Sequence, residues 1–278
     1  MSPKPSPAPP PAPFVAVSSG KGGVGKTSLA LNLALAMAGV GRRILLVDGD
    51  LGLANIDVML GLDVRGTIRD VLAAGGDPRE VLVTPAPNLA VLPASSGVPD
   101  MAALGPDDRS ALEEVLEDLA ADHDLVLVDT AAGIGPSVLW FNAFADRNLL
   151  VLTPDPTSLT DAYALVKVLC REHHRRRVTV VANMVRDDRE ARRIHDNLAR
   201  VTERFLGLRP ELLGAVPRDP AVERAVRAQV PLLRNDPDRP AARAVRELAE
   251  RILTWLPRAR GQAPRPARAH AREGGHHP

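Results

Sequence analysis

Gly20-Lys21-Gly22-Gly23-Val24-Gly25-Lys26-Thr27 spells G-x-x-x-x-G-K-T. It follows a short apolar run (Phe14 to Ser18) and opens an Ala/Leu-rich helical stretch (Ser28 to Gly39). Glycines at this spacing let backbone N–H groups turn inward around phosphate oxygens. Lys26 is placed to reach the β- and γ-phosphates, and Thr27 to offer its hydroxyl to Mg²⁺. The helix opening at Ser28 adds its positive end. Lys21 is not needed by a phosphate loop. It is either a solvated turn lysine or a side chain that reaches across an interface to a partner's nucleotide.

Three carboxylates end apolar runs. Asp48 and Asp50 follow Arg43 to Val47, two residues apart, so in an extended segment both point toward the phosphates. One of them can hold Mg²⁺-bound water and the other can orient an attacking water. Asp129 ends Leu125-Val126-Leu127-Val128, where a carboxylate can hold Mg²⁺ through water. Gly133 follows closely, and its N–H is placed to sense a γ-phosphate. Each aspartate alone also suits a helix cap or a turn.

Such a site needs strands and helices in alternation. Further strands are expected at Leu89 to Leu92, Asn148 to Leu152, Val178 to Val181 and Leu212 to Val216. Helices are expected at Gly66 to Ala74, Arg109 to Ala121, Thr160 to Cys170, Glu190 to Phe205 and Pro240 to Leu256. Strand runs that are apolar throughout imply a sheet buried on both faces. The expected fold is α/β, one phosphate-binding domain with a mostly parallel sheet of about seven or eight strands under helices on both faces. Polar residues gather just past the strand ends, where open α/β folds place their ligands.

Composition sets the limits. Of 278 residues 26 are prolines, seven of them before Phe14, so residues 1–13 are expected to be a disordered head. Residues 257–278 hold four prolines and five arginines against one glutamate, and are expected to be a disordered basic tail. The net charge of +1 includes +4 from that tail and +1 from Lys4, which leaves −4 for residues 14–256. An acidic domain argues against nucleic-acid binding by bulk charge. The single cysteine excludes a disulfide scaffold, and Cys170 is expected in the core. No apolar run is as long as the roughly 18 residues of a membrane span, and no signal peptide is recognisable, so the expected compartment is the cytoplasm.

The K-G-G-x-G-K-T pattern, with Asp-Gly-Asp-Leu-Gly-Leu-Ala-Asn at 48–55, resembles the deviant Walker A ATPases of the MinD/ParA family. The resemblance covers nearly the whole domain. It implies ATP and Mg²⁺ as ligands, slow hydrolysis and an ATP-dependent homodimer in which Lys21 touches the partner's nucleotide. It implies that Asp50 activates water beside Asp48, that Asp129 is the Walker B carboxylate, and that Asn183 and Pro217-Arg218-Asp219 make adenine-side contacts. Thr153-Pro154-Asp155-Pro156-Thr157-Ser158-Leu159-Thr160-Asp161-Ala162-Tyr163-Ala164 and Asn183-Met184 are similar to the flagellar-number branch of that family, FlhG or FleN. That branch implies a regulatory protein partner.

Two departures stand out. The short N-terminal segment with which that branch stimulates a partner GTPase has no counterpart in the proline tract. Val245, Leu248, Ala249, Ile252, Leu253 and Leu256 form an apolar stripe, but on the helix expected to pack on the core. Weak association with the inner face of the cell membrane is therefore the most expected, with Trp255 and the tail arginines as contacts. The competing readings are a ParA-type partitioning ATPase that binds DNA non-specifically, a MinD-like division-site regulator, a metabolic relative transferring phosphate to a small substrate, an iron–sulfur carrier and a scaffold without ATP. Arg171 and Arg175 to Arg177, with His173 and His174, make a basic turn that is solvated or, in the partitioning reading, meets DNA. His123 is expected to be exposed.

Overall fold

The structure, a computed structural model, describes residues 12–52, 55–62, 64, 66–74, 76–94 and 105–256. The expected head (residues 1–11 of it), the tail 257–278 with His276 and His277, and Leu53 and Ala54 of the acidic loop lie outside these residues. The chain joins the sheet earlier than expected. Ala12 is buried, and the Pro13 carbonyl accepts from the Val126 N–H at 3.0 Å.

Eight strands form one sheet: β1 (Phe14–Ser19), β2 (Ile44–Gly49), β3 (Val83–Ala86), β4 (Leu89–Leu92), β5 (Leu125–Ala132), β6 (Arg147–Leu152), β7 (Val178–Val185) and β8 (Glu211–Pro217). Their order is β3-β4-β2-β5-β1-β6-β7-β8, and every pair is parallel except β3 with β4. The helices are α1 (Lys26–Gly39), α2 (Ile56–Leu60), α3 (Ile68–Ala74), α4 (Pro106–Ala120), α5 (Pro136–Phe144), α6 (Pro156–Glu172), α7 (Asp188–Leu206), α8 (Pro220–Arg227), α9 (Leu232–Asn235) and α10 (Pro240–Leu253), with a 3₁₀ turn at Pro78–Val81.

Apolar runs become central strands because both faces are covered. Every residue of β1 and β2 is buried. On one face α1, α8, α9 and α10 pack on Val15, Val17, Leu46, Leu127 and Leu149. On the other, α4 and α5 cover Ala16, Leu45 and Val128, and α6 and α7 cover Leu150 and Val180. Cys170 lies in that last cluster. Five helices start on proline, at 106, 136, 156, 220 and 240, because the first turn has no use for an N–H and proline presets the helical φ. Part of the proline content therefore marks helix starts.

The apolar stripe of α10 faces inward. Val245, Leu248, Ala249 and Ile252 are buried, Leu253 and Leu256 pack against the same cluster, and Trp255 lies beneath the Arg147 guanidinium at 4.8 Å. No helix among the described residues is long and apolar enough to cross a membrane. His123 is half-buried, not exposed. Its Nδ1 lies 2.7 Å from the Leu119 carbonyl, and burial holds its pKa below the ordinary histidine value. In the basic turn, Arg175 donates to the Ala143 carbonyl, and Arg176 donates to the Leu206 and Gly207 carbonyls at 3.2 and 3.0 Å. Two of its arginines thus close the carboxyl ends of α5 and α7.

Candidate phosphate-binding site

Parallel β1 leads into residues 20–27, and α1 starts at Lys26 with Gly25 as its N-cap residue. Gly23 and Gly25 hold φ of 77° and 81°, which side chains with a Cβ resist. Gly20 faces a different constraint. A Cβ there would lie 2.5 Å from the Ala162 nitrogen and closer still to the Asp161 carbonyl, so β1 turns into the loop hard against the α6 backbone.

Beneath the loop, the Lys26 ammonium donates to Asp129 Oδ1 at 2.7 Å, with the two side chains 9% and 1% exposed. Burial pushes the Asp129 carboxyl up, and the Lys26 charge opposes it. Asp129 Oδ2 is buried with no hydrogen-bond partner among the described residues. An orphaned carboxylate oxygen beside the start of a phosphate loop is what Mg²⁺, directly or through water, would satisfy. The residues present fit Mg²⁺ with a polyphosphate.

β2 and β5 are in register at Asp48 and Asp129, so the two carboxylates sit side by side. Burial, and then the Asp129 charge, push the Asp48 pKa up to about 7. Asp48 does not aim freely at the phosphates. Its Oδ1 accepts from the Asp50 N–H at 3.1 Å, and its Oδ2 from the N–H groups of Asn55 and Ile56 at 2.9 and 3.1 Å. It pins the acidic loop and the start of α2. Asp50 lies close enough for its charge to raise the Asp129 pKa.

Lys21 turns away from its own loop. Its ammonium donates to Asp155 Oδ1 at 2.9 Å and to the Thr157 hydroxyl at 2.7 Å, and it stays 42% exposed. Burial works upward on Asp155, but hydrogen bonds from Thr153, Thr157, Lys21 and the Ser158 N–H hold it well below the usual carboxylate range. Asp155 is also the N-cap of α6. Gly133 differs from its expected role, since its N–H is committed to the Ser19 carbonyl at 2.9 Å.

A cavity of about 450 Å³ opens beside the loop, a volume suited to a small organic ligand. Lys21, Gly22, Gly23, Val24, Gly25 and Ser28 of the loop line it, together with Asn183, which lies against the loop, Pro217 at the end of β8 and Asp219 just beyond it. The Asn183 side-chain amide donates to the Val24 carbonyl at 2.7 Å, so it braces the loop it faces. Asp219 N-caps α8, and the Arg239 guanidinium at 2.9 Å holds its carboxyl below the usual range. Lys26, Thr27, Gly20, Asp48, Asp50 and Asp129 are not part of the cavity wall.

Sequence reasoning missed several residues here. Leu29, Leu232 and Val245 give the cavity an apolar wall, and Arg186 with Glu190 forms an ion pair at 2.8 Å on its rim. Asp155 carried a signal, an aspartate before proline after a strand, which marks a helix start facing the loop cluster. Arg239 carried none, being 20 residues from its partner.

The family profile "ParA: NUBPL iron-transfer P-loop NTPase" matches residues 12–253. The chain is 42% identical to the antiactivator FleN of Pseudomonas aeruginosa over 78% of each chain. Its fold is similar to septum site-determining protein MinD complexed with Mg-ADP from Pyrococcus horikoshii, with TM-score 0.72, 27% identity, and 87% and 96% of the two chains covered. A MinC:MinD cell division protein complex from Aquifex aeolicus gives TM-score 0.73 at 27% identity over 87% and 96%. The iron-transfer description of the profile finds no paired thiolates here, because the sequence has one cysteine and Cys170 is buried.

Proposed function

The chain belongs to the MinD/ParA family of P-loop ATPases, and from that premise we infer that it is an ATP-dependent dimerising switch with slow hydrolysis. The observation that carries this is the Lys26–Asp129 pair, a charged lysine already in place beside a carboxylate with one unsatisfied oxygen.

The roles follow from position. Backbone N–H groups of Gly22 to Lys26, with Lys26 itself, bind the phosphates of ATP. Thr27 and Asp129 would hold Mg²⁺, which would supply neutralisation of the phosphate charge. Asp48 keeps Asp50 in place through the Asp50 N–H, and Asp50 orients the attacking water. Asn183, Pro217 and Asp219 seat the base. Lys21, half-buried and held by a surface ion pair worth about 0–1 kcal/mol and a hydrogen bond to Thr157, releases both to reach the nucleotide of a second copy. Hydrolysis removes that bridge and the copies part, so the output is a shift between two populations.

Fold similarity to MinD supports a site-determining role in which the ATP state governs recruitment of a partner protein. The identity to FleN supports the same switch acting on flagellar number. The domain is taken as residues 12–256, acting in the cytoplasm. The inward stripe of α10 leaves that helix no apolar face for a bilayer, so any membrane contact is weak.

Size-exclusion chromatography of Asp50→Ala with ATP and Mg²⁺ tests the switch. A dimer with ATP and a monomer with ADP are expected, and a monomer at saturating ATP and Mg²⁺ refutes the reading. Deletion of the gene separates the outputs, with altered flagellar counts for one and minicells for the other. ATP-dependent DNA binding that falls steeply with salt would instead indicate partitioning.

A further inference from the structure

The turn after β8 gathers several donors around one carboxylate. Asp219 Oδ1 accepts from the Ala221 N–H at 3.0 Å, in the first turn of α8. The Arg239 guanidinium donates to Oδ1 through Nη2 at 2.9 Å, and its Nε lies 3.2 Å from each carboxylate oxygen. The Ala241 N–H, in the first turn of α10, donates to the same carboxylate. One aspartate therefore serves the starts of two helices, and the residue that neutralises it is the N-cap of the second. The Asp219 side chain is only 2% exposed.

These bonds use the carboxylate up. An ionised carboxylate is an acceptor with about four lone-pair sites and no donor. Two backbone N–H groups and a guanidinium fill them, and they hold the Asp219 pKa below the usual range, so the group stays ionised at neutral pH. Asp219 nevertheless belongs to the wall of the cavity of about 450 Å³, beside Val222 and Glu223 of α8, whereas Arg239 does not. The guanidinium reaches the carboxylate from behind that wall. Asp219 thus lends a base its place in the wall but no vacant acceptor.

The consequence depends on which base enters. On its Watson–Crick edge guanine presents N1–H and an exocyclic N2 amine, two adjacent donors. Adenine presents N1 as an acceptor beside its N6 amine. A carboxylate with open lone pairs accepts from both guanine donors at once and repels the adenine N1 lone pair. The same carboxylate, filled from behind, leaves guanine two donors to bury without partners, which is costly. Building a site in which the wrong ligand goes unpaired is one of the two routes to specificity.

We propose that Arg239 is a specificity-determining residue of the nucleotide site: by occupying the Asp219 carboxylate it denies guanine an acceptor and leaves the cavity to adenine. Arg239 stands off the cavity wall and acts through Asp219, so it is a positioning residue. The proposal rests on the reading of the cavity as an ATP site and adds how the base is chosen.

Equilibrium titrations of the full chain with fluorescent ADP and fluorescent GDP in Mg²⁺, alongside thermal melting, test this. Wild type is expected to prefer ADP. Arg239→Met keeps the aliphatic stem and removes the fork, and it should raise GDP affinity relative to ADP by at least about tenfold, the scale of buried donors gaining partners. Arg239→Lys keeps a charged donor on Asp219 and should hold that ratio within about threefold of wild type. Adding Asp219→Asn to Arg239→Met should abolish the gain, because asparagine still caps α8 but presents no charge and brings a donor of its own. A smaller rise in Arg239→Met, an equal rise in Arg239→Lys, or a gain that survives Asp219→Asn overturns the proposal. Equal loss of both affinities in step with melting temperature makes Arg239 a structural residue and overturns it too. Should Arg239→Met fail to fold, Arg239→Gln, with one amide in place of the fork, decides by the same ratio. A wild type that binds GDP as well as ADP overturns the base choice and leaves the nucleotide site standing, whereas one that binds neither refutes the ATP reading as well.

Discussion

Replacing Lys26 by methionine should destabilise the nucleotide-free protein, apart from any effect on ATP. The substitution keeps the aliphatic stem and removes the charge. It leaves Asp129, 1% exposed, without its counter-ion, beside an Asp48 whose pKa already stands at about 7. Breaking a buried pair by removing one partner costs about 3–5 kcal/mol. For a domain of this size each kcal/mol is worth roughly 2–4 °C, so a drop of about 6–20 °C is expected at pH 8.5. The sign of the pH dependence follows from the carboxyl. Its folded pKa is raised and rises further in the variant, so the cost is full above the variant's value and fades as pH falls to the lower, still raised, wild-type one. Melting in EDTA at pH 8.5 and 5.5 should therefore show a smaller deficit at the lower pH. Adding Asp129→Asn should recover most of the loss, because the uncompensated charge is gone. A deficit under about 2 °C at pH 8.5, or equal deficits at both pH values, would refute the argument.

Three further outcomes are expected. Gly20→Ala drives a Cβ into the α6 backbone, so chemical denaturation should show a loss on the order of 3 kcal/mol, and a change under about 1 kcal/mol contradicts that packing. Lys21→Ala removes an exposed pair, so melting should move by less than what about 1 kcal/mol produces while ATP-dependent dimerisation is lost; a large fall in melting temperature would make the lysine structural. Asp48, raised to about 7, should make nucleotide-free wild type lose on the order of 4 kcal/mol between pH 4 and pH 8, and Asp48→Asn should flatten that slope in urea titrations at fixed pH.

The phosphate loop and both strand-end carboxylates were legible because the signal is local. An apolar run ends, and glycine or aspartate follows within a few residues. The stripe of α10 was legible by period. The helix α5 was not, since Pro136 to Phe144 is apolar on nearly all sides and sits between two expected strands without a polar face. The strand β3 carries Thr84 and Pro85 on an exposed edge and lacks the buried-strand pattern. The helix α6 starts at Pro156 and not at Thr160, because the Asp155 cap sets the boundary ahead of the apolar spacing. Partners distant in sequence were beyond reach. Nothing near Lys21 announces Asp155, 134 residues on, and an isolated Asp48 reads equally as a ligand or as the anchor of its own loop.

The arginines that close α5 and α7 have counterparts across the molecule. Arg234 donates to the Pro85 carbonyl at 2.6 Å, Arg243 to Asp238 at 2.8 Å, Arg246 to Pro237 at 2.7 Å, and Arg251 to Leu213. In a chain with few lysines, guanidinium groups staple helix ends, edge strands and loops by donating to backbone carbonyls. The positive charge persists, but part of the planar fork is already occupied. A polyanion approaching these positions meets long-range attraction without the paired donors that grip a phosphate. Swapping such an arginine for lysine would conserve the field around the protein and loosen its seams.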